Sequence, residues 1–221
     1  MKDILEHKII EDELIVSLGL LKSGFYYLYH ENGTEDCLFI TLQLLSGGFE
    51  RLIKIILMCD NKMNKNQFLT KKELQKYSHN LKDLFDCCSK NFQINYMPAV
   101  YDFINLLSDF GIQKRYENFN KLSNEISDSY ESYKTTFDTF MQIYYPIYLK
   151  DFNTIEDDLK KVNKMLIETL LELVITLLKT LHNIYPESKK FALLHKNNLQ
   201  NIQILISEFD KVSPLTVFQQ N

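Results

Sequence analysis

Ser46-Gly-Gly-Phe-Glu-Arg-Leu-Ile-Lys-Ile-Ile-Leu57 and Lys76-Tyr-Ser-His-Asn-Leu-Lys-Asp-Leu-Phe85 decide how this chain is read. The first lies inside a longer segment, about Glu35 to Cys59, that carries few polar residues and reads as a central helix. Two glycines inside a helix cost about 1 kcal/mol each relative to alanine, so Gly47-Gly48 calls for a reason. Close approach of another helix, or of a ligand, is the obvious one.

Working outward, Ile9, Ile10, Leu14, Leu18, Leu21, Phe25 and Leu28 recur at helical spacing and predict a first helix over about Asp3 to Tyr29. Asn32-Gly33 turns the chain, and Thr34 is the expected cap of the second helix. The polar stretch Asp60 to Gln67 reads as a loop. Thr70-Lys-Lys-Glu73 has the spacing of a capping box, and Ser78 is the expected cap of a helix from His79 to about Lys90. Pro98 suits the start of a helix closed by Gly111. Ser127 to Lys150 reads as a helix kinked at Pro146, with the aromatic stripe Tyr130, Tyr133, Phe137, Phe140, Tyr144 and Tyr148. A helix from Thr154 to Tyr185 and a last one from Ser188 to Lys211 complete an all-α, single-domain bundle of about seven helices over residues 1–221, its ordered core about 3–211. Only 6 Gly and 4 Pro among 221 residues argue against a turn-rich β fold.

The formal net charge of −4 is unlike that of a dedicated nucleic-acid binder, although it leaves room for a local basic patch. Arg51 and Arg115 are the only arginines, which restricts bidentate phosphate recognition. Cys37, Cys59, Cys87 and Cys88 fit neither a zinc knuckle nor a disulfide framework, and a reducing cytoplasm is the simple reading. Leu166 to Leu178, interrupted by Glu168 and Glu172, is too short to span a bilayer. Nucleotide-loop, zincin and hydrolase motifs are absent, and the acidic clusters lack metal-ligand spacing, so no metal and no cofactor is expected.

The two opening segments resemble the HEPN superfamily, all-helical domains of prokaryotic toxin–antitoxin and phage-defence systems. The resemblance rests on Gly47-Gly48-Phe49-Glu50-Arg51-Leu52-Ile53-Lys54 and on Tyr77-Ser78-His79-Asn80-Leu81-Lys82-Asp83-Leu84, and covers about residues 34–90. It implies a homodimer and, in many members, metal-independent ribonuclease activity. The ribonuclease signature is an arginine followed four to six residues later by histidine, the arginine to hold phosphate charge and the histidine to move the ribose proton. Neither Arg51 nor Arg115 has such a histidine, so the resemblance implies a non-catalytic copy. His79, and His195 after Lys189-Lys190, are the remaining candidates for a catalytic base. Both also read as surface residues.

Candidates for holding RNA or an anion are Lys71, Lys72, Lys76 and His79, beside Lys62 and Lys65, together with Arg115 and Tyr116. For the lysines the alternative is a solvated loop. For Arg115 it is a loop ion pair with Glu117 or Asp109. Three functions stay open: an RNA- or protein-binding HEPN-like module, a structural helical interaction module, and a pocket for a small apolar ligand framed by the 130–148 aromatics. Leu166–Leu178 reads as a helix buried either centrally or by a second subunit, and it and that aromatic stripe read first as core, with part of their surface a candidate homodimer interface.

Overall fold

The computed structural model describes residues 2–30, 35–77, 80–114, 133–146 and 155–185. Among these there are seven α-helices and no strand: α1 (Lys2–Tyr29), α2 (Glu35–Lys65), α3 (Lys71–Gln75), α4 (Leu81–Phe92), α5 (Pro98–Asp109), α6 (Tyr133–Tyr144) and α7 (Ile155–Ile184). The expected caps Thr34 and Thr154, the helix from Ser188, and the candidates His79, Arg115, Tyr116 and His195 lie outside the described residues.

The organising pair is α1 against α2. Ile10, Leu14, Leu18, Leu21, Phe25 and Leu28 are buried as the α1 stripe requires, whereas Ile9 faces solvent at 53% exposure, off the stripe. The two helices run antiparallel and touch backbone to backbone at two reciprocal points. A Cβ on Gly48 would sit 2.7 Å from Leu21 Cγ and 3.1 Å from its backbone nitrogen. A Cβ on Gly24 would meet Leu45 in the same way, at 2.7 Å and 3.2 Å. The buried Ser17 hydroxyl donates to the Gly48 carbonyl at 2.9 Å and closes the crossing. The reason for the glycines is therefore a helix rather than a ligand, and it applies to Gly48. Gly47 has only Leu20 Cδ1 nearby, at 3.7 Å.

Beyond the crossing, α2 becomes the axis of the bundle. Phe49, Leu52, Ile53, Ile56 and Cys59 are fully buried, and α1, α4, α5 and α7 all pack on it. It also continues six residues past Cys59, through the stretch expected to be a loop. Tertiary partners hold that polar end. Lys62 reaches Glu6 on α1 at 3.0 Å, and the buried Asn61 amide donates to the Gln67 carbonyl at 2.8 Å. The helix stops where Asn66 turns left-handed at φ 55°, a conformation asparagine tolerates.

Two other boundaries differ from expectation. The cap of α4 is Asn80, not Ser78: its side chain accepts from Asp83 N at 3.1 Å, and Ser108 Oγ on α5 donates to it at 3.2 Å. Gly111 does not close α5, because the chain runs on as a π-helical turn, Phe110–Lys114, that seats Phe110 in the core. α6 stops at Tyr144, two residues short of Pro146, and the expected continuation to Lys150 lies outside the described residues.

Among the described residues, the Leu166–Leu178 segment and the aromatic stripe are core, the first of the two readings. Leu166, Ile167, Leu170, Val174 and Leu177 are fully buried, with α7 packed on α1, α2 and α5. Phe137 and Phe140 are buried, and Phe140 lies 5.4 Å from the Phe103 ring. Tyr133 packs edge-on against Phe39 and Phe110, and the Tyr144 phenol donates to Asp102. No helix among the described residues is long and apolar enough to cross a membrane.

The crossing predicts a contrast between adjacent residues. Gly48→Ala should destabilise by about 1–2 kcal/mol, because overpacking outweighs the roughly 1 kcal/mol gain in helix propensity. Gly47→Ala should be neutral or stabilising by up to about 1 kcal/mol. Urea midpoints decide it, and equal stability of the two variants would refute the close-contact account. By the same method Asn80→Ala should cost about 1 kcal/mol and Ser78→Ala little, since Asn80 does the capping.

Candidate nucleic-acid interface

The exposed lysines between α2 and α4 are the described cluster best suited to an anionic partner. α3 begins with the predicted capping box. Thr70 Oγ1 accepts from Glu73 N at 3.3 Å, and the Glu73 carboxylate accepts from Thr70 N at 2.7 Å and from the Thr70 hydroxyl at 2.7 Å. These bonds hold the Glu73 carboxyl below the usual glutamate range. The Thr70 backbone N–H contributes most, then its hydroxyl, and the charges of Lys65 and Lys76 add to the effect. Lys65 and Lys76 therefore converge on Glu73 from two elements. Lys72 stands one helical turn before Lys76, and Lys71 lies beside it. Lys65, Lys71, Lys72 and Lys76 are all exposed, and Lys65 and Lys76 lie near the Glu73 carboxylate.

Lys62 leaves this group. Its ammonium is bound by Glu6 and lies 5.1 Å from the centre of the Phe68 ring, so it pins α1 to the end of α2. Arg51 is likewise occupied, at 2.5 Å from Glu13 across the α1–α2 pair. Lys54 pairs with Glu50 at 2.5 Å. The charged residues of the first motif are thus fastened to neighbours, while its Phe49, Leu52 and Ile53 are core.

The described residues of the second motif are structural in the same sense. The half-buried Tyr77 phenol donates to Cys87 Sγ at 3.5 Å, and that bond with burial pushes its pKa up to about 12. Leu81 and Leu84 are buried. The first turn of α4 does not offer the free N–H groups that would make an anion site beside His79: Lys82 N donates to Ser108 Oγ at 3.1 Å and Asp83 N to Asn80. Burial raises Cys59 and Cys88 to about 12, so these thiols stay protonated and unreactive near neutrality.

One feature escaped the sequence reading. A cleft of about 320 Å³ separates the start of α5 from α7, lined by Asn95, Tyr96, Met97, Thr169, Glu172 and Thr176. Tyr96 at its rim stacks on Tyr101 with ring centres 5.8 Å apart, and Lys82 lies 5.6 Å from the centre of the Tyr101 ring. Its two walls are some seventy residues apart in sequence, and no local pattern announces their meeting. Among the described residues no group of three or more His, Cys, Asp or Glu side chains is placed to hold a metal.

No protein family, curated protein or solved structure matches the chain.

Because the folded Glu73 pKa is depressed, the capping box contributes stability above the ordinary glutamate pKa and loses it as pH falls through the lower, folded value. An NMR titration should place the Glu73 midpoint below the ordinary range, and Thr70→Ala should move it back up. A midpoint unchanged by Thr70→Ala would contradict the bonding described.

Proposed function

We propose that this chain is a HEPN-like helical module of prokaryotic defence or toxin–antitoxin type, acting in the cytoplasm by holding RNA on the Lys65–Lys76 surface without orthodox nuclease chemistry. The observation that carries the reading is the run of four exposed lysines, Lys65, Lys71, Lys72 and Lys76, two of them beside the Glu73 carboxylate. Lysine ammoniums on a solvated surface bind a phosphate backbone by charge and without sequence preference. The absence of nuclease chemistry is supported by Arg51, which has no histidine at catalytic spacing and is already paired with Glu13. A second reading, a helical protein-interaction module with no nucleic-acid role, draws support from the apolar outer face of α1, where Leu5, Ile9, Ile15 and Val16 are exposed.

Anisotropy of labelled single-stranded RNA at low and moderate salt, with cleavage followed on the same samples, tests the proposal. Binding should weaken steeply with salt, and no cleavage should occur. Each single-strand phosphate contact contributes roughly 0.7 to the log–log salt slope, so Lys71→Gln/Lys72→Gln/Lys76→Gln should flatten it by about 2. Arg51→Ala should leave affinity nearly unchanged. Binding indifferent to the triple variant would remove RNA from this surface. Cleavage abolished by His195→Ala would instead make the protein a ribonuclease.

A further inference from the structure

We propose that the cleft between the start of α5 and α7 binds a small organic ammonium ion, its charge held by Glu172 and its apolar body by Tyr96, Met97, Val100 and Leu173. At about 320 Å³ the cleft matches the lower end of small-molecule sites. None of Lys65, Lys71, Lys72 and Lys76 lines it, so the proposal stands apart from the RNA reading.

The polar lining selects a cation. Among the described residues that line the cleft, Glu172 is the only charged one. It is exposed, and its carboxylate has no partner among the described residues. The Thr169 hydroxyl donates to Met165 O and the Thr176 hydroxyl to Glu172 O, both at 2.9 Å, so each has only oxygen lone pairs left for a ligand. Free N–H groups at the start of α5 would favour an anion. Pro98 has none, however, and Val100 and Tyr101 donate theirs to Met97 O at 3.0 and 3.3 Å, which leaves at most the Ala99 N–H. An anion would therefore meet a carboxylate and two committed hydroxyls.

The apolar lining suits the rest of such a ligand. Tyr96 is stacked on Tyr101 with 9° between the ring planes and is braced by Phe85 at 4.8 Å, so its ring is held in place at the rim. A ring of this kind attracts a cation through its electron-rich face, and Lys82 already lies over Tyr101 in the same stack. Lys82 itself is paired with Asp86 at 2.5 Å and so leaves Glu172 uncompensated. Met97, 51% exposed at the N-cap of α5, adds a flexible thioether that moulds to irregular apolar shapes. A carboxylate, an aromatic ring and a thioether around one cleft fit an ammonium group carried on a short apolar body.

NMR shift mapping of the isotope-labelled full chain with phenethylammonium tests this, beside phenethyl alcohol as the neutral isostere and hydrocinnamate as the anion. The ammonium ion should shift the amides of residues 95–97 and 169–176 with a Kd in the millimolar range or tighter. Phenethyl alcohol should bind about tenfold more weakly, and hydrocinnamate not at all. Glu172→Gln, at an exposed position, should leave the helical circular dichroism unaltered, weaken the ammonium ion about fivefold and leave the alcohol unchanged. Glu168→Gln, one turn away and outside the lining, should change neither. The proposal is overturned by the absence of shifts at the cleft with the ammonium ion, by equal affinity for the ammonium ion and the alcohol, or by an ammonium affinity indifferent to Glu172→Gln.

Discussion

The structure depends on the backbone contact between α1 and α2. Gly24 under Leu45 and Gly48 under Leu21 let two long helices approach more closely than side chains at those positions would permit. The Ser17 hydroxyl, bonded to the Gly48 carbonyl, ties one end of the crossing. With one face of α2 committed in this way, other faces are left for α4, α5 and α7, and most of the helix is buried. Interiors are packed like crystals, so a misfit at the crossing would be transmitted along α2 to each of those contacts.

Helix identity was written plainly in the sequence and helix boundaries were not. The apolar stripe of α1, the Thr70–Glu73 box and the start of α5 at Pro98 each rest on residues close together, and each is present. The failures share a cause. The polar end of α2 is helical because Glu6 holds Lys62 from 56 residues away. Asn80 outcompetes Ser78 as a cap with help from Ser108 on α5. Gly111 is drawn into a wider turn that keeps Phe110 buried. In every case a distant partner overrode a local preference.

The candidate site divides along the same line. Lysines 71, 72 and 76 could be picked out by their density alone, and they are exposed together. That Lys62 belongs to the scaffold could not, since nothing near it in sequence shows Glu6 or its approach to the Phe68 ring. The charges of the first motif tell a similar story. Glu50, Arg51 and Lys54 read as a chemical signature, yet in space they are ion pairs that decorate a helix whose other side is core. An exposed pair such as Arg51–Glu13 contributes little to stability.

α3 contributes no buried residue to the core and is held by its capping box and by the chain on either side. Its opening is consequently separable from unfolding of the bundle, and its amides should exchange with solvent deuterium by small local excursions while those of α2 wait for global events. Lys71, Lys72 and Lys76 thus ride on a platform whose shape can be remodelled at little cost. A charged surface of that kind can adapt to many backbone geometries, and would trade selectivity among partners for tolerance of their shapes.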